Sequence, residues 1–125
     1  MLNGRLYVMG GWDSNRLQVL EMTEENGLSW SCKADLPARR HGAASAVHEG
    51  KIWVMGGAVN FQPSASVSIY DAEGDTWEAG PSLPSACRSC RAATVDGDIF
   101  LLHWQAASTY GAETQHGRDW RHSGA

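Results

Sequence analysis

A phrase of eight residues written twice constrains this chain more than any other feature. Residues 4–11 read GRLYVMGG and residues 50–57 read GKIWVMGG. The offset recurs elsewhere. Gly4 to Gly50 is 46 residues and Gly50 to Gly97 is 47; Trp30 returns as Trp77, and Leu36 and Pro37 return as Leu83 and Pro84, each 47 residues on. Four landmarks sharing one period within 125 residues mark stacked copies of one supersecondary unit, because periods of about 20–50 residues belong to repeat architectures.

The letters inside each copy predict strands. RLYVM from Arg5, KIWVM from Lys51 and DIFLL from Asp98 are short apolar runs bounded by turn residues. In KIWVM both alternating faces are apolar, Ile52 and Val54 on one and Trp53 and Met55 on the other, as in a strand buried on both sides. VSIYD (67–71) and DTWEA (75–79) predict two further strands, joined by the turn-rich AEGD. HGAASAVHEG (41–50) predicts a strand of small residues, which lets backbones crowd together. LQVLEMTEE (17–25) comes nearest to a helical pattern but aligns with VSIYD, so no helix is expected. Each unit is then a four-stranded antiparallel sheet with two apolar faces. Such a sheet needs a neighbour on both sides, and radial stacking supplies them.

These residues resemble a kelch repeat: a small-residue strand, an apolar strand ending in Gly-Gly, a strand with Tyr-Asp, a Trp about six residues on, then Leu-Pro and Arg. The second unit shows HGAASAVHEGKIWVMGG, SIYDAEGDTW and LPSACR. The first shows GRLYVMGGW, VLEM, SW and LPARR and lacks the small-residue strand. The third shows CRAATVDGDIFLL, STY and DW, with His103 and Trp104 where Gly-Gly would stand. The resemblance implies an all-β, kelch-type β-propeller segment of two to three four-stranded antiparallel blades, with the small-residue strands innermost. It divides the chain into 1–37, a blade lacking its innermost strand, 38–84, a complete blade, and 85–125, a third and degenerate one. Closed propellers have about 4–8 blades, so an incomplete ring is expected, completed by further blades or by self-association. The start inside a blade is expected of a piece of a longer protein.

Most distinctive residues fall to the repeat itself. Gly10, Gly11, Gly56 and Gly57 end strands in conformations other residues resist; no GK[ST] or GxGxxG pattern makes them a phosphate loop. Trp30 and Trp77 are expected in the core, with Tyr70 and Asp71 as further framework positions, whereas Trp12, Trp53 and Trp104 could reach a rim. Cys87 and Cys90 have C-x-x-C spacing, but a redox motif wants a helix N-terminus and structural zinc wants four ligands. Two free thiols and no metal are expected. The acids of DAEGD (71–75) suit a hairpin turn better than a calcium loop. No histidine, serine or carboxylate set has catalytic spacing.

Arg39, Arg40 and His41 follow Leu-Pro at the entry to a small-residue strand, and Arg88 stands at the corresponding entry in the next unit. Resemblance to kelch propellers of the substrate-adaptor kind implies that Arg40 and Arg88 face the channel mouth and meet acidic partners. A guanidinium holds a carboxylate through two parallel hydrogen bonds. These four residues are the partner-binding candidates.

Composition narrows the function classes. The net charge is −4 with no Lys/Arg stripe, which argues against nucleic acid. No apolar run reaches the roughly 18 residues of a membrane span. Three cysteines, an odd number, and no apolar leader point to a cytoplasmic setting. DSNR (13–16) and AVNFQPSAS (58–66) differ in length at equivalent places while the strands keep their spacing, as on a scaffold with interchangeable contact loops. The expected function is a non-catalytic protein–protein interaction module of substrate-receptor or scaffold type, with no cofactor and a protein partner carrying an acidic segment. The alternatives are a propeller enzyme related to copper-dependent sugar oxidases or sialic-acid mutarotases, and a fragment without independent function. Tyr7, Tyr70 and Tyr110 sit at strand positions, where burial rather than copper ligation explains them.

Overall fold

The computed structural model describes residues 5–9, 17–23, 27–59, 62–87, 90–106, 109–116 and 119–124, with side chains for 5–9, 27, 29–59, 62–87 and 91–102. All regular structure among them is β. Sheet 1 contains β1 (Leu6–Met9), β2 (Leu17–Thr23) and β3 (Gly27–Lys33) in that order. Next come β4 (Ala44–His48), β5 (Lys51–Met55) and a small hairpin of β6 (Ala58–Val59) and β7 (Gln62–Pro63). With β8 (Val67–Asp71) and β9 (Thr76–Ala79), strands β4 and β5 form sheet 2, ordered β4-β5-β8-β9. Sheet 3 contains β10 (Cys90–Val95), β11 (Asp98–Ala106), β12 (Thr109–His116) and β13 (Asp119–Gly124) in sequence order. Every pairing is antiparallel. Within the stretch 17–25, Leu17–Thr23 is a strand, as its alignment with VSIYD predicts, and residues 24 and 25 lie outside the described residues.

Two-residue turns set the register of the small-residue strands. Glu49 (φ 51°) and Gly50 (φ 73°) join β4 to β5, and Asp96 (φ 51°) and Gly97 (φ 83°) join β10 to β11. Positive φ at both central residues matches the right-handed twist of the strands on either side.

Sheet 2 is buried on both faces. Ile52, Val54, Tyr70 and Leu36 form one apolar cluster, against which Tyr7 and Met9 of sheet 1 pack. Trp53, Met55, Val67 and Ile69 form the other, together with Ile99 and Leu101 of sheet 3. The alternation in KIWVM therefore separates two cores rather than a core and a solvent face. Each of these fully buried side chains contributes roughly 1.5–3 kcal/mol. Trp53, which the sequence allowed at a rim, is 5 % exposed because its face is the one covered by sheet 3.

Polar contacts fasten the sheets together. The Trp77 Nε1–H donates to the Ala34 carbonyl at 2.8 Å, across from the end of sheet 1. Asp75 accepts from the Ala34 N–H at 2.8 Å and from the Tyr70 hydroxyl at 2.7 Å. The Ala34 hydrogen bond first, then that of Tyr70, holds the Asp75 carboxyl below the ordinary aspartate range. Burial, then the hydrogen bond and charge of Asp75, push the Tyr70 phenol well above its ordinary value. Between sheets 2 and 3, the Thr94 hydroxyl donates to the Val47 carbonyl at 2.6 Å.

Among the described residues the end sheets are covered on one side only. Leu6 (41 % exposed), Val8 (48 %) and Trp30 (52 %) share the face of sheet 1 turned away from sheet 2, since Leu6 and Trp30 both pair with Leu20. Trp30, expected in the core, is thus half in solvent: its row has the right chemistry, but no neighbouring sheet among the described residues covers it. On sheet 3, Phe100 (40 %) and Leu102 (50 %) are exposed while Ile99 and Leu101, alternating with them, are fully buried. Sheet 1 has no strand outside β1 among the described residues. A cavity of about 110 Å³ lies between β1 and β4, lined by Tyr7, Met9, Ser45, Ala46, Val47 and Ile52.

Candidate interaction surface

One end of the sheets is closed by three segments locked together through their backbones. The first is the linker from β3 to β4, which carries Arg39, Arg40 and His41. The second comprises residues 56–59 and 62–66, with the paired strands β6 and β7. The third comprises residues 80–87, after β9. His41 and Ala58 exchange hydrogen bonds, His41 N–H to Ala58 O at 3.2 Å and Ala58 N–H to His41 O at 2.8 Å. On the other flank of the hairpin, Leu83 N–H reaches Ala65 O at 2.8 Å and Cys87 N–H reaches Ser64 O at 3.0 Å. The hairpin is therefore the hub that joins both linkers leading to innermost strands.

The Gly-Gly pair makes this closure possible. Gly56 and Gly57 have φ of 66° and 81°. A Cβ at Gly57 would lie 2.7 Å from the His41 carbonyl oxygen and 2.8 Å from the Ala43 nitrogen. Only glycine allows the backbones to approach so closely.

The two neighbouring arginines have different fates. Arg39 is exposed and His41 is half-buried. Arg40 is 5 % exposed and turned into the sheet. Its Nη1 donates to the carbonyls of Gly56 (3.3 Å) and Ser66 (3.2 Å), and its Nη2 donates to the hydroxyls of Ser66 (3.0 Å) and Ser68 (3.4 Å). Burial lowers the pKa of the guanidinium. The side chain expected to face a partner is thus occupied in tying the β3–β4 linker to the end of β5 and the start of β8. Arg88 and the pair Gly10 and Gly11 lie outside the described residues.

Sequence reasoning overlooked the serines that receive Arg40. Ser64 and Ser66 share a hydrogen bond between their hydroxyls at 2.8 Å, and Ser68, 6 % exposed, lies beyond them. The alternating serines of SASVS (64–68) were the available signal. Cys87 also departs from expectation, since it is disulfide-bonded and 3 % exposed, held inward by its backbone bridge to Ser64; Cys32 is free and exposed.

The opposite ends of β4 and β5 carry a different surface. A cleft of about 270 Å³ there is lined by Glu49, Gly50, Lys51, Asp71, Ala72 and Glu73. Asp71 caps its own turn, accepting from the Glu73 N–H at 3.0 Å, as expected of DAEGD. Among the described residues no group of three His, Cys, Asp or Glu side chains is placed to hold a metal ion. No helix among them is long and apolar enough to cross a membrane.

Antiparallel sheets stacked face to face through two apolar surfaces, with a small-residue strand at one edge, are blades of a β-propeller. Residues 39–84 match the family model of the kelch motif. The chain belongs to the kelch repeat family. It is 33 % identical over 98 residues to F-box protein AFR of Arabidopsis thaliana, covering 77 % of this chain and 26 % of that protein. It is 28 % identical over 126 residues to human Kelch repeat and BTB domain-containing protein 12, covering 80 % of this chain and 20 % of that protein. The chain thus spans about a quarter or less of these relatives. Among solved structures, that of YjhT superposes with a TM-score of 0.78 at 15 % identity, over 99 % of this chain and 49 % of that one. A fungal alcohol oxidase in complex with copper superposes with a TM-score of 0.69 at 18 % identity, over 84 % of this chain and 26 % of that one. At these identities the two structures share the fold.

Proposed function

We propose that the chain is a non-catalytic protein-binding module of substrate-receptor or scaffold type. In this reading the units 1–37, 38–84 and 85–125 are its blades. The rim built from the 39–43, 56–66 and 80–87 segments contacts a protein partner through an acidic segment, and further blades or a second copy complete the ring. The observation that carries the reading is the contrast between Arg39 and Arg40. Arg40 commits Nη1 and Nη2 inside the sheet, which fixes the linker and places Arg39 and His41 beside a backbone-locked hairpin. A rigid platform lowers the ordering cost of binding, and an exposed guanidinium suits a carboxylate. The F-box and BTB names of the relatives support the same direction. Arg88 joins Arg39 and His41 as a contact by its place at the equivalent linker.

The test is a display library of peptides with and without Asp and Glu clusters. Acid-rich peptides should be selected, and Arg39→Glu should weaken their binding about tenfold or more, as loss of a charge-assisted pair implies. Selection of neutral peptides, or binding indifferent to Arg39→Glu, contradicts the reading.

The copper-oxidase alternative draws on shared fold alone. The Tyr70 side chain is fully buried and its hydroxyl is already committed to Asp75, which supports a framework role for it.

A further inference from the structure

We propose that Cys87 and Cys90 form a reversible disulfide clasp that sets the freedom of Arg88 between them, so that partner binding at the rim depends on the thiol–disulfide state of the surroundings. The inference rests on the rim reading, in which Arg88 is a contact, and adds its regulation.

The pairing follows by count. The chain has three cysteines. Cys32 is free and Cys87 is disulfide-bonded, which leaves Cys90 as its partner within the chain. The bond closes a ring of four residues, Cys87, Arg88, Ser89 and Cys90. One of the two residues inside that ring is a rim candidate.

The repeat shows what the bond stands in for. Leu36 returns as Leu83, and the same step of 47 residues takes Arg40 to Cys87. Both positions are buried, at 5 % and 3 % exposure. Arg40 ties its linker to the sheet through hydrogen bonds to Gly56, Ser66 and Ser68. At the same place in the next linker the side-chain tie is covalent, and unlike a hydrogen bond it opens and closes with redox conditions. Arg88 follows Cys87 as His41 follows Arg40.

Opening the bond leaves the fold in place. Chain-entropy stabilisation by a disulfide grows with loop length, and this ring is short. The backbone on either side is anchored without it. The Cys87 N–H donates to the Ser64 carbonyl at 3.0 Å, and Cys90 begins β10 opposite His103 of β11. A reduced Cys87 is a small apolar side chain in the cluster that already holds it with Leu83, Trp53 and Ile99. The bond therefore acts on what lies between the anchors, Arg88 and Ser89, which are outside the described residues.

The chemistry is thiol–disulfide exchange with a small-molecule thiol and its disulfide. The thiolate of one thiol attacks one sulfur of the pair, forming a mixed disulfide and releasing the other cysteine, which takes up a proton. A second thiol attacks the mixed disulfide and departs as the small-molecule disulfide. One protein disulfide and two thiols thus give one protein dithiol and one small-molecule disulfide. The reverse reaction, with the small-molecule disulfide as oxidant, closes the clasp.

The test uses the 125-residue chain with Cys32→Ser, which removes the exposed free thiol from the readouts. Thiol titration under native conditions should count none in the oxidised form and two after reduction. Hydrogen exchange should be about tenfold or more faster at Arg88 and Ser89 in the reduced form, with β5 and β8 unchanged. Acid-rich peptides should bind the oxidised form about 3- to 10-fold more tightly, because a side chain held in advance loses less freedom on binding. The difference should vanish in Arg88→Ala. Cys90→Ser should match the reduced form under either condition, and chemical reduction makes the same comparison without altering the ring. A pair that does not open and re-form in thiol–disulfide buffers, loss of protection in β5 and β8 on reduction, equal exchange at Arg88 and Ser89, or equal peptide affinity in the two states overturns the proposal. Absence of peptide binding in both states overturns the rim reading instead, and the exchange rates then decide the clasp by themselves.

Discussion

KIWVM in sheet 2 and LYVM in sheet 1 are nearly the same strand, yet they live in different surroundings. Strand β5 has four of its five residues buried, whereas β1 alternates between exposed and half-buried. Sheet 3 repeats the lesson in mirror image, with Ile99 and Leu101 fully buried and Phe100 and Leu102 open. The same residue types, placed by the same turns, are core or surface according to whether another sheet stands beside them. In a repeat fold the contribution of a residue is a property of the interface between units.

The largest expected effect comes from matched substitutions across this divide. Trp53→Ala should cost about 3–5 kcal/mol, a loss comparable to the whole stability of a small domain. Phe100→Ala, one period on and 40 % exposed, should cost less than about 1.5 kcal/mol. Denaturant unfolding of both measures the gap, and equal losses would break the comparison.

The neighbouring arginines sharpen it next. Arg40→Ala should destabilise by about 2–3 kcal/mol, because it removes hydrogen bonds from a charged donor and strands their buried acceptors. Arg39→Ala should stay within about 0.5 kcal/mol. A reversal in the same unfolding assay would mean that Arg40 is not the side chain tying the linker to the sheet.

The two tryptophans of the repeat follow. Trp77→Phe loses the hydrogen bond to Ala34 and should cost about 1 kcal/mol, whereas Trp30→Phe, at a half-exposed position, should change stability by less than about 0.5 kcal/mol. Calorimetry of the pair decides whether the bond between sheets is worth what its geometry indicates.

The smallest effect concerns acid. The folded pKa of Asp75 is depressed, so its contribution is complete above the unfolded aspartate value of about 3.9 and is lost as pH falls through the lower folded value. Asp75→Asn should flatten the part of the stability–pH curve below about pH 4 while leaving its neutral limb in place. An unchanged acid limb would remove Asp75 from the contacts that join sheets 1 and 2.

The period, the two-faced strands and the all-β character of the described residues were legible because each rests on local pattern. The alternation in KIWVM even assigned its residues to the correct two cores. Trp30 was not legible in the same way: its letters specify the kind of face, while its exposure depends on a neighbour that no local pattern encodes. Arg39 and Arg40 read alike in sequence, and only the path of the backbone after Leu36 and Pro37 turns one inward to Ser66 and Ser68. The β6–β7 hairpin was hidden because AVNFQPSAS reads as a loop, and its two short strands are held mainly by contacts with linkers distant in sequence. Of the rim candidates, Arg40 turns into the sheet while Arg39 beside it is exposed, and Arg88 lies outside the described residues.

The central claim is that sheet 2 is enclosed on both faces while the end sheets are covered on one. Hydroxyl-radical footprinting measures this side chain by side chain. Trp53 and Met55 should be labelled far more slowly than Trp30, and Tyr70 more slowly than Phe100. Comparable labelling of Trp53 and Trp30 would contradict the stacking of sheets on which the fold and the rim both stand.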